Sequence, residues 1–466
     1  MPKTIIFLVA AILLLHPAAF AQKSKVALIS DFVTAKQNHH NFNGNVLVAE
    51  KGRIIYKKSV GYSDFKTRRP LTDRSVFNLA SISKQFTAAA VLLCRERGLL
   101  SLDDSLSKYF PEIPYEGITI RQMLTHTSGL PEQNELLYKY WNSDEPAINK
   151  DMIGLLIKHK PPAAFKPGEG FKYCNTNYSL LASIVEKVSG QKFQDFMAVN
   201  IFKPAGMKQT QILDLGNGYK TIPDLASNYI YDHEKERFSL PKDIPQWKKA
   251  IPIGGMVGAG NVYSTAAYLL KWQESLKAEK ILSRKVLGEM ESPQVKGSVD
   301  GSDAYGYGLA IKSIYGDTRV FHYGGTLGYW NSLQHFKNAD RTVIVLSNNE
   351  GEKGLTNAIA AILFDQEVVL PSAHKEVRLA EDQLSRFVGT YEVNGNFAFA
   401  IENRDGKLHR VVKGGDAKEL KPESSNKLFY ADGTDRQIEL VFDGGQAVKR
   451  VFFISDGLKT ELKKVR

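Results

Sequence analysis

The segment Phe77-Asn-Leu-Ala-Ser-Ile-Ser-Lys84 leads into the strongest helical pattern of the chain and carries its most informative motif. Apolar residues then recur at helical spacing, and Gly98 follows as a C-cap. The spacing predicts a helix over 82–97, with one apolar face made of Ile82, Phe86, Ala89, Ala90 and Leu93. Ser81 and Lys84 stand at its start, three residues apart and therefore on one face.

The pair Ser81 and Lys84 suits nucleophilic catalysis. Residues i and i+3 of a helix have Cβ atoms about 5–6 Å apart, so the lysine can reach the serine hydroxyl. A serine is a weak nucleophile until a base takes its proton or a cation stabilises the alkoxide, and a helix N-terminus adds partial positive charge. Taken alone, Ser-x-x-Lys is more often an exposed polar pair.

A second candidate group is Tyr173-Cys174-Asn175, which follows far downstream. Tyrosine has a pKa near 10 in water, and a neighbouring Lys⁺ favours the phenolate, which is a usable base. Asn175 can orient Lys84 or hydrogen-bond a substrate amide. The alternative is a buried tyrosine followed by an asparagine turn.

A third candidate is His322-Tyr-Gly-Gly325, at the end of a predicted strand. Glycines let a substrate acyl group approach the backbone, and a backbone N–H there can face an oxyanion. The alternative for His322 is a hydrogen-bonded structural histidine.

In this order, Ser81-x-x-Lys84, Tyr173-x-Asn175 and His322-x-Gly324 resemble the motifs of the serine β-lactamase and penicillin-binding-protein superfamily. The resemblance is to the class C β-lactamase-like branch, with its DD-peptidases, D-amino-acid peptidases and family VIII carboxylesterases. It covers roughly residues 30–368. Other phrases are also similar to the family: Leu124-Thr-His-Thr-Ser-Gly-Leu-Pro131, Gly254-Gly-Met256 and Tyr305-Gly-Tyr-Gly308.

The resemblance implies a catalytic set and a substrate-binding set. Ser81 is the acylated nucleophile, and Lys84 and Tyr173 share the general-base work, with the first proton acceptor left open. Asn175 positions Lys84 and the substrate. Substrate binding extends to His322, Gly324 and Gly325, and the N–H groups of Ser81 and Gly325 form the oxyanion hole. No cofactor and no metal are implied.

His322 stands where many relatives place a lysine. Histidine is largely neutral at pH 7, so the site should hold a substrate carboxylate less firmly. This favours esterase or peptidase activity over efficient β-lactamase activity. Within the phrase around it, His126 is interpreted as structural rather than as a triad histidine. Tyr138, Tyr140 and Trp141 either line the acyl-side pocket or belong to the core.

Strand patterns at both ends of residues 22–369 flank a helical middle at roughly 100–290. The predicted fold is α/β (α+β), with a mainly antiparallel sheet flanked by helices and a helical lobe. Residues 370–383 are polar and are interpreted as a linker. Turn signals at near ten-residue spacing in 384–466 predict a small antiparallel β-barrel or sandwich domain.

Residues 1–21 have the pattern of a secretory signal peptide: Lys3, an apolar run over 5–15, and Ala19-Phe20-Ala21 as a cleavage site. The run is too short to span a bilayer of about 30 Å as a helix. We therefore expect a periplasmic or secreted protein without stable membrane insertion after signal removal. The alternative is an uncleaved membrane anchor.

The composition is that of a globular protein of 466 residues, with 43% hydrophobic and 24% charged residues, which excludes wholesale disorder. The net charge of +11 comes without a basic stripe, so nucleic acid is not an expected partner. Two cysteines exclude a disulfide scaffold, and free buried thiols are favoured over a Cys94–Cys174 bond. The expected partner is a small-molecule or peptidoglycan-like ester or amide, and the oligomeric state is left open.

The leading functional hypothesis is an exported serine hydrolase that cleaves an ester or amide through a Ser81 acyl-enzyme. The alternative is a catalytically silent scaffold or cell-wall binding protein that acts through 384–466. An α/β-hydrolase would need Gly-x-Ser-x-Gly and a metallohydrolase His-Glu-x-x-His, and the sequence contains neither.

Overall fold

The computed structural model describes residues 23–40, 42–213, 222–297, 299–351, 354–393, 395–412, 414–444 and 447–465. The predicted signal peptide at 1–21 therefore lies outside the described residues. Within the described ranges, no helix has the length and apolarity that crossing a membrane requires.

The helices lie mostly between the two strand-rich ends of the first 366 residues. They are α1 (Lys25–His40), α2 (Ser83–Glu96), α3 (Leu106–Tyr109), α4 (Ile120–Leu124), α5 (Gln133–Tyr140), α6 (Asn149–His159), α7 (Asn175–Ser189), α8 (Phe193–Met197), α9 (Ala266–Lys277), α10 (Arg284–Met290), α11 (Leu355–Leu363) and α12 (Glu381–Ser385).

The strands of this first region form one large sheet, a short three-stranded sheet and two short pairs among the described residues. They are β1 (Gly44–Glu50), β2 (Arg53–Val60), β3 (Tyr62–Asp64), β4 (Arg69–Pro70), β5 (Phe77–Asn78), β6 (Gln211–Ile212), β7 (Ile230–Asp232), β8 (Arg237–Ser239), β9 (Val262–Ser264), β10 (Val295–Lys296), β11 (Ala304–Tyr305), β12 (Ala310–Ile314), β13 (Asp317–Thr326), β14 (Tyr329–Phe336) and β15 (Arg341–Ser347).

The large sheet is antiparallel in the order β10-β11-β12-β13-β14-β15-β1-β2. Its two halves come from opposite ends of the region and join where Val46 of β1 pairs with Val345 of β15. Apolar residues alternate between the faces: Leu47 and Ile344 face the core under α2 and α9, whereas Val46 and Val345 face α1 and α11. This arrangement confirms the predicted antiparallel sheet with flanking helices.

One predicted strand is wrong in its extent. The sequence from Tyr305 to Ile311 predicts one continuous strand, whereas β11 ends at Tyr305 and β12 begins at Ala310. The interruption contains Gly308 at a φ of +74°, where an added Cβ would lie 2.8 Å from the Lys84 carbonyl oxygen. The chain turns here because only glycine allows this close packing against α2.

The C-terminal region is a closed antiparallel barrel. Its strands are β16 (Gly389–Val393), β17 (Asn396–Arg404), β18 (Lys407–Val411), β19 (Lys418–Ser424), β20 (Lys427–Tyr430), β21 (Gln437–Phe442), β22 (Val448–Ser455) and β23 (Leu458–Lys464). Each strand pairs with the next, and closure comes from Tyr391 of β16 opposite Lys464 of β23. The barrel alternative of the prediction is therefore confirmed, and α12 covers the last residues of the predicted linker.

The barrel contacts the first region through α1. Lys36 of α1 lies 2.7 Å from an oxygen of Asp435 and 3.6 Å from one of Asp456, and Lys36 and Asp435 are both largely buried. The Val369 N–H donates to the Gly457 carbonyl at 2.8 Å. A desolvated ion pair thus joins the two regions.

Candidate active site

Ser81 lies in a short 3₁₀ turn, Ala80–Ile82, immediately before α2 begins at Ser83. The preceding Ala80 has a φ of +47°, an uncommon left-handed conformation for a residue with a side chain. The Asn78 side chain stabilises this turn by accepting the Ala80 N–H at 2.9 Å. The serine is therefore presented by a tight turn into the helix and is only partly buried.

Lys84 is fully buried at 0% exposure and makes three hydrogen bonds to oxygen. Its Nζ lies 3.1 Å from Ser81 Oγ, 2.8 Å from Asn175 Oδ1 and 3.0 Å from the Ala259 carbonyl oxygen. Burial lowers the pKa of Lys84 to about 7, although the charge of Glu132 acts in the opposite direction. A large fraction of the amine is therefore neutral, and able to accept a proton, near pH 7.

Tyr173 lies beside this pair, with its ring centroid 4.8 Å from Lys84 Nζ. Its hydroxyl oxygen is buried and has no hydrogen-bond partner of ordinary geometry among the described residues. Burial raises the Tyr173 pKa well above its usual value, and the hydroxyl of Ser81 offsets only part of this rise. The phenolate that the sequence argument favoured is therefore not the stable form, because burial raises the Tyr173 pKa.

Asn175 begins α7 and connects the lysine to an acidic residue. Its Oδ1 accepts from Lys84, while its Nδ2 and backbone N–H donate to the two oxygens of Glu132, at 3.0 and 2.7 Å. Cys174 turns the other way, with its Sγ 3.3 Å from the Leu130 carbonyl oxygen. Cys94 and Cys174 are both free and buried, as predicted.

Two members of this network were missed by the sequence reasoning. Glu132 directly follows the Leu124–Pro131 phrase, and its position there is the signal that could have identified it. The Ala259 carbonyl oxygen belongs to the glycine-rich stretch after Gly254, and a main-chain atom carries no side-chain signature. Both act on Lys84, one by charge and one by a hydrogen bond.

His322 of β13 is 2% exposed, and its ring centroid lies 6.1 Å from that of Tyr173. Its Nδ1 is 2.5 Å from the Tyr323 carbonyl oxygen, so this nitrogen carries the proton. Its Nε2 then accepts from the Tyr305 hydroxyl at 3.2 Å. Burial, and next the charge of Lys84, lower the His322 pKa to about 3, so the imidazole is neutral.

The glycines after His322 bring β13 against the nucleophile turn. A Cβ on Gly324 would lie 2.1 Å from the Leu79 carbonyl oxygen and 3.2 Å from the Ile82 nitrogen, so only glycine fits there. The next residue, Gly325, lines the cleft together with Ser81. The structure thus brings Ser81, Lys84, Asn175 and Gly325 together at one site.

The cleft has a volume of about 130 Å³ and a polar but uncharged lining. Amide and hydroxyl side chains surround Ser81 there: Asn78, Gln133, Asn134, Asn175, Asn261 and Thr326. Tyr138 and Trp141 instead line a separate depression of about 290 Å³, and Tyr140 stacks on His159 with ring centroids 3.7 Å apart. No metal-binding cluster of His, Cys, Asp or Glu occurs in the part of the chain that the structure describes.

The comparisons with known proteins agree with this geometry. Residues 28–366 match the family described as Beta-lactamase. The chain is 32% identical over 435 residues to penicillin-binding protein 4* of Bacillus subtilis, covering 92% of this chain and 96% of that protein. It is 27% identical to a D-aminopeptidase of Brucella canis, covering 68% of this chain and 58% of that protein.

Among solved structures, the octameric penicillin-binding protein homologue of Pyrococcus abyssi superposes with a TM-score of 0.67 at 25% identity. The match covers 94% of this chain and 100% of that one, so it includes the barrel as well as the first region. The chain therefore belongs to the beta-lactamase family and is a serine hydrolase of that type.

Proposed function

We propose that this protein hydrolyses esters or amides through an acyl-enzyme on Ser81, with Lys84 as the first proton acceptor. The observation that carries the proposal is the position of Lys84: its Nζ is 3.1 Å from Ser81 Oγ, and its pKa is lowered to about 7 by burial. A neutral amine at that distance can take the serine proton as the hydroxyl attacks.

In the proposed reaction, Ser81 Oγ bonds to the substrate carbonyl carbon while its proton moves to Lys84 Nζ. The N–H groups of Ser81 and Gly325 receive the oxyanion. When the tetrahedral intermediate collapses, the bond to the leaving group breaks, and the leaving group takes a proton from Lys84 through the Tyr173 hydroxyl. Water then releases the acid and restores Ser81 by the same steps in reverse. The raised Tyr173 pKa supports a neutral phenol that relays a proton.

The proposed substrates carry no carboxylate beside the scissile bond. Among the described residues the cleft lining carries no charged side chain, and His322 is buried and neutral, so the lining offers no cation to the carboxylate of a β-lactam or of a D-Ala-D-Ala terminus. Neutral esters and amides need no counter-ion at this position. D-Amino-acid amides are included because one relative is named a D-aminopeptidase.

The proposal extends to location and domain organisation. Residues 1–21 act as a cleavable export signal, which places the enzyme in the periplasm or outside the cell. Residues 22–369 form the hydrolase domain and 384–466 a separate barrel domain, with 370–383 between them. The change from the large sheet to the closed barrel supports this division.

The test combines active-site labelling with a substrate panel. A fluorophosphonate probe should label wild type but not Ser81→Ala, and p-nitrophenyl esters and D-amino-acid amides should be turned over faster than nitrocefin. Ser83→Ala is the matched control, because Ser83 is fully buried and its Oγ accepts the Val262 N–H at 3.2 Å. Labelling of Ser81→Ala, or no labelling of the folded wild type, would contradict the proposal, and the second result would support the silent scaffold.

A further inference from the structure

His126 holds the chain on both sides of Tyr173. Its carbonyl oxygen accepts the Lys172 N–H at 3.1 Å, and its ring Nδ1 accepts the Cys174 N–H at 3.0 Å. Its ring also packs on the Tyr173 ring, with centroids 4.4 Å apart and 32° between the planes. One residue thus contacts the backbone before Tyr173, the backbone after it and the phenol itself.

The state of the His126 ring follows from these contacts. Because Nδ1 accepts a hydrogen bond, the ring proton is on Nε2. His126 is 0% exposed, and burial, followed by the charge of Lys84, lowers its pKa well below the usual value. The imidazole is therefore neutral and adds no second positive charge close to Lys84.

His126 occupies a conformation that a purely space-filling residue would not need. Its φ is +58°, in the left-handed region that non-glycine residues rarely adopt. Its Nε2 is buried without a hydrogen-bond partner among the described residues, and the buried Tyr173 hydroxyl has no partner of ordinary geometry there. Strain and unpartnered buried polar atoms are unfavourable, and they concentrate at functional sites.

We propose that His126 is the positioning residue for Tyr173, holding its hydroxyl at Ser81 and Lys84 so that it can pass a proton to the leaving group. This inference rests on the proposed function. It differs from a triad role, because Ser81 already has Lys84 as its hydrogen-bond partner. It also differs from a merely structural role, because the effect of losing His126 should pass through Tyr173.

The leaving group makes this difference measurable. p-Nitrophenolate departs without a proton, whereas the alkoxide of an alkyl ester needs one. Both esters form the same acyl-enzyme, so the comparison uses kcat/KM, which reports acylation. Tyr173→Phe should therefore reduce kcat/KM on an alkyl ester about 100-fold more than on the p-nitrophenyl ester of the same acid, the low end for loss of general-acid catalysis. His126→Asn should reproduce this bias in kcat/KM at about tenfold, because asparagine tolerates a positive φ and can accept the Cys174 N–H but lacks the ring.

The double variant His126→Asn/Tyr173→Phe completes the test. If His126 acts through Tyr173, the double variant should be no slower on the alkyl ester than Tyr173→Phe alone. Both esters are measured on one preparation, so loss of folded protein lowers both rates equally and leaves their ratio unchanged. His126→Gln is the second variant if His126→Asn does not fold. His335→Asn is the control, since His335 is also a buried histidine but its Nδ1 contacts Thr342 on β15.

Three outcomes would overturn the inference. Equal losses on the two esters in His126→Asn would indicate a structural role. If the rate losses of the two single variants multiplied in the double variant, His126 would act independently of Tyr173. If Tyr173→Phe kept the wild-type ratio of the two rates, Tyr173 would not pass a proton to the leaving group, and His126 would have no such role to support. Failure of the proposed function is distinguishable from all three, because it appears as turnover or labelling that persists in Ser81→Ala.

Discussion

The hydrolase region and the barrel differ in how far apart in sequence their contacts lie. In the large sheet, β1 pairs with β15, so Val46 meets Val345. In the barrel every strand pairs with its neighbour in sequence, and only β16 and β23 close the circle. The residues of the active site are brought together by contacts between segments that lie far apart in the sequence. Long-range packing can enclose groups from separate segments, whereas successive hairpins mainly build a local core.

The two regions also differ in the burial of their charges. Lys84 has no exposed surface, and its pKa is lowered to about 7. On the barrel, the side chains of Arg450 and Glu461 pair at 2.8 Å while remaining 49% and 51% exposed. The short distances are alike in the two cases, so proximity alone does not set the chemistry. Desolvation distinguishes the buried lysine from the ordinary ion pair.

The largest effect is expected from removing the buried amine. Lys84→Met keeps the length of the side chain and removes the proton acceptor, so kcat/KM on a p-nitrophenyl ester should fall by about 10³-fold or more. Methionine fills most of the volume, so the protein should remain folded, which circular dichroism can check. Turnover within about tenfold of wild type would assign the base to another group.

The same variant tests the burial of the charge through pH. The folded-state pKa of Lys84 is about 7 and its ordinary value is 10.5, so between these values the unfolded chain binds one proton more than the folded chain. The free energy of unfolding should therefore rise with pH in this window, by at most about 1.4 kcal/mol per pH unit from this group. Lys84→Met should show a smaller slope by denaturant unfolding. An equal slope would contradict the lowered pKa.

The contrast in sequence distance also explains what could be predicted from the sequence. Turn pairs such as Asp405-Gly406 and Asp456-Gly457 predicted a series of antiparallel hairpins, because each hairpin is encoded locally. The large sheet and the three motifs could be anticipated from strand patterns and from the family resemblance. The closed form of the barrel needed β23 to meet β16, and the sequence alone left open whether it was a barrel or a sandwich.

The electrostatic state of the site could not be read from residue types. A cation near Tyr173 argued for a phenolate, yet burial of the tyrosine raises its pKa well above the usual value. Glu132 and the Ala259 carbonyl oxygen set the surroundings of Lys84 without belonging to any motif. The magnitude of desolvation depends on packing from many segments at once, which a local pattern does not contain.

The next largest effect concerns the buried ion pair between the two regions. Lys36→Met leaves Asp435 buried without its close cation, which should lower the free energy of unfolding by about 3 kcal/mol. The rate of Ser81 labelling in the folded protein should stay at the wild-type value, because Lys36 lies on α1 and outside the cleft lining. Denaturant unfolding and fluorophosphonate labelling measure the two quantities.

A double variant is the matched control for the Lys36–Asp435 pair, and the pH dependence of the stability deficit is a second test. Lys36→Met/Asp435→Asn removes both charges and should recover much of the stability. Burial raises the Asp456 pKa, so this carboxyl takes up a proton readily on acidification, and the deficit of Lys36→Met should shrink as the pH falls. A deficit that the double variant does not relieve would point to lost packing rather than to an unpaired charge.

The smallest effect is expected at the exposed pair of the barrel. Glu461→Gln keeps the shape of the side chain but removes its charge from the contact with Arg450, and the midpoint of denaturation should not shift measurably. Both side chains are about half exposed, so water and salt screen the attraction, and ordering two long side chains offsets the remainder. The Arg450 hydrogen bond lowers the Glu461 pKa, so any contribution is present above the ordinary carboxyl pKa and disappears on acidification. Midpoints measured at neutral and at acid pH, with and without salt, should therefore coincide for wild type and variant. A loss as large as that of Lys36→Met would mean that geometry, rather than burial, determines which charges matter in this protein.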